Sequence, residues 1–450
     1  MELITVLRGL GGVILILGIA FLFSNNKKKI RWKLIGIGLF IQLIFAVFIL
    51  HGETFRSWFF ILGWPKDILN WFGGVVVKIL GFIAEGSLFV FGSLALSPGT
   101  DGSLGFFFAF QVLPTIIFFA SLTAVLYYTG VLQFIVKWMA LIMAKLLGTS
   151  GAESLSNTAN IFIGQTEAPI LIRPYIASMT RSELLTIMIG GMATVAGGVM
   201  ASYIQMLGQA MSAAKGIPVS DAQIGFAVHL ITASVMAAPA SIVIAKMLHP
   251  ETKIPVTLGK VKMKVEKNAS NIIEAAANGA ADGLKLALNV GGMLIVFIAF
   301  IFLFNHLFQG FGNLIGINGW LISKFGQPLS MQLILGLPLK YLAIGIGVPV
   351  QDAFDFGRLF GTKIVLNEFV AYLDLVEIIK TNAMTPKGIT MATFALCGFA
   401  NFSSIAIQLG GIAPLAPNRK KDIAALGLKS VLGGALVTLL TATLAGVLIG

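Results

Sequence analysis

Charge is what this sequence has least of. Asp, Glu, Lys and Arg make up 11% of its 450 residues, where a soluble domain carries roughly 25%. Cysteine is nearly absent: the single Cys397 excludes intrachain disulfides and zinc–thiolate clusters. The four histidines, His51, His229, His249 and His306, show no metal-ligand spacing, and no HExxH or Walker A pattern occurs. These absences argue against hydrolytic metal chemistry and built-in ATP hydrolysis. The sequence is instead 57% hydrophobic, with a mean hydropathy of +0.93, 51 glycines and 35 phenylalanines. That composition fits a polytopic helical membrane protein, where small residues let helices pack closely. The net charge of +12 resides in short loops between apolar runs. This distribution matches the positive-inside rule better than a phosphate-binding face.

The first apolar run, roughly Ile4 to Phe23, is long enough to span and lacks a small-residue cleavage site, so it reads as a span and not a signal peptide. A second span covers roughly Leu34–Leu50. The loop between them holds Lys27, Lys28, Lys29, Arg31 and Lys33 without an acid, which predicts a cytoplasmic loop and an N-terminus outside. Lys66, Asp67, Lys78 and Glu85 interrupt Trp64–Leu96. Two further basic stretches follow, around Lys253, Lys260, Lys262, Lys264 and Lys267, and at Arg419-Lys420-Lys421. All three basic loops face one side only if Trp64–Leu96 does not cross, so it is read as interfacial. The next span is about Leu104–Tyr128.

From Val131 one plan is used twice. The first copy has an interfacial helix (Val131–Leu147), a polar-interrupted segment (Ser150–Met179), a Gly-broken span (Glu183–Leu207) and a whole span (Ile224–Leu248). A separate span lies near Leu286–Phe304. The second copy repeats the order: Met331–Gly347, Gln351–Lys380, Lys387–Leu409 and Ile423–Leu448. Three crossings separate the copies, so they are expected to lie inverted in the membrane. Inverted repeats with discontinuous helices are the sequence signature of a secondary transporter, since non-helical backbone at membrane depth must line a cavity or be buried.

Each copy has a polar interruption, Gly164-Gln165-Thr166-Glu167-Ala168-Pro169 in the first and Asn367-Glu368 in the second. An ionisable group at membrane depth costs a few kcal/mol and marks a candidate functional site. The bland alternative for Glu167 is helix glue, paired with a nearby cation. Gln165, Thr166 and Glu167, Asn160 with Thr194, Glu368, and Asn401 with Ser404 together offer amides, hydroxyls and carboxylates. No Arg or Lys lies within either polar motif. The set suits a neutral, hydroxyl-rich, amide-bearing solute and not an anion. Phe399 and Phe402 could supply an apolar wall, although phenylalanine is commonly core and Ser404 could simply bond its own helix.

These motifs carry a family resemblance. Gly164–Pro169, Leu366–Tyr372 and Cys397–Ser404 resemble the signatures of the concentrative nucleoside transporter family. So do Ser150–Leu155, Ala275–Gly283 and Phe89–Gly92. The resemblance covers nearly the whole chain. It implies an all-α polytopic fold with eight transmembrane helices, two opposed re-entrant hairpins, an inverted repeat and interfacial helices. It also implies a homotrimer working by elevator-like alternating access. On that plan, residues 1–130 and 251–330 are scaffold, and 131–250 and 331–450 are the two repeats.

By motif, Gln165, Thr166 and Glu167 would face the nucleobase. Glu368, Asn401 and Ser404 would hold the ribose hydroxyls, with Val199 and Phe399 packing around the nucleoside. Sodium would bind the Asn160 side chain, the Ile163 carbonyl, the Thr194 hydroxyl and the Val195 carbonyl. Thr194 stands where some members have Ser, which keeps the hydroxyl. No organic cofactor or nucleic-acid partner is expected. The expected function is import of a uridine-like nucleoside by cation symport across a bacterial inner membrane, with both termini outside. Sodium is favoured because a hard cation takes several oxygen ligands. Three alternatives remain at this level: proton coupling through Glu167 or Glu368, a passive facilitator, and a membrane-embedded enzyme.

Overall fold

A computed structural model describes residues 3–52, 56, 63–98, 100–259 and 269–449. Lys260, Lys262, Lys264 and Lys267 lie outside the described residues. The described residues are all-helical apart from turns and loops, with one isolated antiparallel bridge between Ser150 and Leu258. The helices used below are α1 (Leu3–Leu22), α2 (Trp32–Leu50), α3 (Trp64–Phe91), α4 (Leu113–Thr129), α5 (Val131–Leu147) and α6 (Gly151–Ala159). They continue with α7 (Arg181–Ala193), α8 (Gly197–Lys215), α9 (Val219–Leu248), α10 (Ile272–Leu314) and α11 (Met331–Gly345). The last five are α12 (Ala353–Val365), α13 (Glu368–Lys380), α14 (Pro386–Leu396), α15 (Phe402–Ile412) and α16 (Lys420–Ile449).

Chain ends and loops fix the orientation of each helix. The Asn25 N–H donates to the Leu248 carbonyl at 3.0 Å, Lys429 Nζ to the Phe23 carbonyl at 3.2 Å, and Arg181 pairs with Asp422 at 2.7 Å. The α1–α2 loop, the start of α7, the end of α9 and the start of α16 therefore meet at one end of the bundle. The basic residues of the first loop, Lys253 and Arg419–Lys421 collect there, as the sequence predicts.

The segment expected to be interfacial, Trp64–Phe91, forms one unbroken helix of about 42 Å. By length and composition alone it could cross a membrane. Its contacts place it differently. Gly73, in its first half, packs on Ile224 and Ala227 in the first turns of α9, and the Phe91 ring packs at a tilt on Phe110 just before α4, 5.0 Å between centroids. Gln111 Nε2 also donates to the carbonyls of Leu94 and Leu96. Those partners all lie at the end of the bundle opposite the basic loops, so α3 runs across that end.

Among the described residues eight helical stretches are long and apolar enough to cross, but the set differs from the expected eight. It includes α3 and omits the second broken span, because the break divides that span into two helices of 11 residues each. The span expected near Leu286–Phe304 is the middle of a 43-residue helix, about 64 Å long. Asp282, Lys285, Asn305 and His306 bound its apolar middle, which is why the sequence suggests a shorter element.

The two copies are opposed. α7 begins at the basic end, and Ile189 and Met192 on it pack against Gly433 and Gly434 of α16. α14 begins at the other end, with Met391 against Gly446 near the close of α16. The segment 150–179 starts and finishes at the basic end. At its start Glu153 pairs with Lys246 at 2.8 Å, and at its finish Arg419 Nη1 donates to the Ala177 carbonyl at 3.3 Å. The α12–α13 pair starts and finishes at the opposite end, where Asp352 accepts from the Thr385 N–H at 3.1 Å. Two breaks, 194–196 and 397–401, cross back to back. A Cβ on Gly398 would sit 2.8 Å from the Met192 carbonyl oxygen, so only glycine fits the crossing.

Candidate functional site

Two capped helix starts line the site, and two more anchor the elements that reach it from the basic end. Asn367 precedes α13 and its Oδ1 accepts from the Val370 N–H at 2.9 Å. Glu368 thereby becomes the first residue of α13, where the positive end of the helix dipole favours a carboxylate. Asn401 caps α15 in the same way, accepting from the Ser404 N–H at 2.8 Å. At the other hairpin Ser150 and Glu153 form a capping box that opens α6, and Thr180 and Glu183 form another that opens α7. α6 ends at Ala159, leaving 160–167 as irregular backbone. The Phe162 carbonyl accepts from the Gly197 N–H at 3.2 Å, pinning this tip to the α7–α8 break.

A cavity of about 170 Å³ lies where the tips and breaks converge. Gln165, Thr166, Glu167, Val199, Glu368, Phe399, Asn401 and Ser404 all line it. All eight predicted substrate residues thus come together from segments up to 239 positions apart. Glu368 is 5% exposed. Its Oε1 accepts from the Tyr203 hydroxyl at 3.0 Å and its Oε2 from Asn401 Nδ2 at 3.2 Å. Asn401 uses both halves of its amide, the oxygen on its own helix and the nitrogen on Glu368. Gln165 Nε2 donates to Ser404 Oγ at 3.3 Å, bridging the two repeats. Glu167 Oε2 accepts from the Gly164 N–H at 2.7 Å, so its carboxylate folds back over its own loop. A second cavity of about 210 Å³ shares Glu167, Ala196, Val199 and Leu286 with the first and continues past Tyr127, Gly279 and Asp282 toward the basic end.

The expected ion ligands surround the tip of the first hairpin. Asn160, Ile163, Thr194 and Val195 are all buried. Thr194 Oγ1 donates to the Gly190 carbonyl at 3.0 Å and keeps its oxygen lone pairs available. Asn160 is 1% exposed, yet neither its Oδ1 nor its Nδ2 has a hydrogen-bond partner among the described residues. A buried amide left this way carries a desolvation penalty of about 1–3 kcal/mol, which a hard cation at its oxygen would offset. The donor set is all oxygen, and it fits an alkali ion.

Several residues escaped the sequence reading. Tyr203 stands one turn beyond Val199 on α8, and Gln408 one turn beyond Ser404 on α15. Gln408 Nε2 donates to Gln165 Oε1 at 3.1 Å and to the Met188 carbonyl at 2.8 Å. Helical spacing from the chosen residues points to both. Leu286, Val290, Met293 and Leu294 of α10 close the apolar side, and no local pattern marks them. Phe402, offered as a possible wall, is half exposed and does not line the cavity.

A polar cleft between inverted halves, at breaks in two helices, defines a secondary transporter. Known proteins sharpen this. Residues 11–94 and 229–446 match the N- and C-terminal parts of the Na+ dependent nucleoside transporter family, and 109–210 match a nucleoside recognition gate domain. The chain is 42% identical to an uncharacterized transporter of Haemophilus influenzae, over 99% of this chain and 98% of that one. It is 38% identical to the nucleoside permease NupC of Helicobacter pylori, over 98% and 97%. Its fold superposes on CNTnw, solved in an inward-facing substrate-bound state, with a TM-score of 0.84, 38% identity and 99% coverage of both chains. The chain belongs to the concentrative nucleoside transporter family. It is a multi-pass membrane transporter of nucleosides, not an enzyme.

Proposed function

We propose that this protein imports a uridine-like nucleoside by sodium symport with elevator-type alternating access. The observation that carries the reading is the buried Glu368 carboxylate, held between Tyr203 and Asn401 at the cavity wall. A carboxylate so placed accepts from two vicinal hydroxyls, the feature a ribose presents. Gln165, Thr166 and Glu167 take the nucleobase edge, while Val199 and Phe399 flank the rings. Asn160, Ile163, Thr194 and Val195 take the ion, which the orphaned Asn160 amide supports.

One sodium is energetically adequate. At 100 mV it contributes about 2.3 kcal/mol, and a tenfold gradient adds about 1.4 kcal/mol. Together they sustain an accumulation of several hundredfold. In this scheme residues 131–250 and 331–450 move against a scaffold formed by 1–130 and 251–330. The exposed apolar faces of α10 are where copies of the chain would join as a trimer. The basic end faces the cytoplasm of a bacterial cell, with both termini outside, and α3 lies in the outer interface.

Uridine uptake into proteoliposomes, with sodium and pH gradients imposed separately, tests the scheme. Uphill uptake should follow the sodium gradient. Uptake driven by external acid alone would replace sodium with a proton, and downhill flux under every gradient would refute coupling. Intact uridine recovered from the lumen would exclude turnover.

A further inference from the structure

The two repeats differ where they ought to correspond. Met-Ala-Thr occurs at 192–194, at the α7 break, and again at 391–393 in α14, just before the second break. In the first repeat Asn157 and Asn160, at the end of α6, lie against Gly190 of α7, with Ser156 beside them in sequence. Ser156 Oγ, Asn157 Oδ1 and both amide atoms of Asn160 have no partner among the described residues. A Cβ at Gly190 of α7 would lie 3.5 Å from Asn160 Nδ2, so the two elements are in contact there.

In the second repeat the last turn of α12 carries Lys363, which has no exposed surface. Its Nζ donates to the Ala395 carbonyl at 2.8 Å and to Thr438 Oγ1 at 3.0 Å. The Thr438 hydroxyl itself donates to the Ala435 carbonyl at 3.1 Å, so its oxygen is an acceptor toward the lysine. Ala395 lies in the final turn of α14, where carbonyls lack helical partners and the dipole favours a cation. The Phe360 ring adds a face 5.5 Å from Nζ. A lysine this deep in a membrane protein marks a function by default, and nothing in substrate binding uses it, since it does not line the cavity.

We propose that Lys363 is a tethered cation. At the second break it ties hairpin to helix-end carbonyl, the task a mobile cation performs at the first. It is a positioning residue: it holds the turn that presents Glu368 and makes no contact with the nucleoside. The second break is therefore not an ion site, and one cation travels with each nucleoside. Only the stoichiometric part of this rests on the sodium reading above.

The test uses the full-length protein in proteoliposomes, with equilibrium uridine binding and uptake measured against sodium. Wild type should show hyperbolic sodium activation and move one charge per uridine. Lys363→Met, similar in length and uncharged, should bind uridine about tenfold more weakly or worse. Lys363→Ala opens space at the Ala395 carbonyl. Its uridine binding should recover with added methylammonium, or its sodium activation should become sigmoidal as a second ion enters.

Wild-type uridine affinity with hyperbolic activation in both variants would overturn the proposal. So would loss of binding without any cation rescue, which means a merely structural lysine, or two charges per uridine in wild type. If Lys363→Ala does not fold, Lys363→Arg decides: a retained cation should keep the uridine binding that Lys363→Met loses, and equal loss in both would overturn the proposal. Wild-type uptake indifferent to sodium would remove the sodium reading alone, because methylammonium rescue of binding still reads Lys363.

Discussion

Replacing Glu368 by glutamine changes one oxygen to an NH2 group and removes the charge, with almost no change in volume. In the structure both carboxylate oxygens already accept, one from the Tyr203 hydroxyl and one from Asn401 Nδ2. A glutamine can keep its oxygen on Asn401 Nδ2 and donate its NH2 to the Tyr203 hydroxyl oxygen, but it then offers no acceptor on that side. The ribose hydroxyls would meet a neutral amide in place of a charged acceptor. A hydrogen bond to a charged group contributes about 1.5–3 kcal/mol, and a neutral one about 0.5–1.5. With one such bond to a ribose lost and the other weakened to a neutral one, about 3–4 kcal/mol of binding should disappear, or two to three decades in affinity. Uridine binding and uptake by Glu368→Gln in proteoliposomes measure this, with size-exclusion chromatography to establish that the protein is folded and assembled. Uptake within threefold of wild type from a well-folded variant would refute the ribose assignment.

Other substitutions probe other joints. Asn401→Asp keeps the oxygen that caps α15 but sets a second carboxylate against Glu368, so thermal stability should fall little while uridine uptake is largely lost. Asn160→Ala removes the orphaned amide, and sodium titrations should show half-activation displaced upward about tenfold, with much of the maximal rate recovered at saturating sodium. Lys246→Met leaves Glu153 buried and unpaired at the base of the first hairpin, where the two groups now lie 2.8 Å apart. Melting of the purified protein should show a loss of about 3–5 kcal/mol, and adding Glu153→Gln to the same chain should restore part of it.

The sequence was sufficient for class and for the order of the helices. Scarce charge and long apolar runs require a bilayer, and the basic loops at 27–33 and 419–421 gather at one end of the bundle. Gly164–Pro169 and Asn367–Glu368 are legible because polar side chains at membrane depth are costly wherever they occur. Pairing is different in kind. That Tyr203 donates to Glu368, that Asn401 divides its amide between a helix cap and a carboxylate, and that Lys363 reaches Ala395 depend on contacts across 32 to 165 positions. Helix α3 shows the same limit. Its length permits a crossing, and only its packing near the starts of α9 and α4 lays it across the end of the bundle. Local chemistry dictates what each segment must avoid or bury, whereas the identity of its partner is decided by the close packing of all the helices at once.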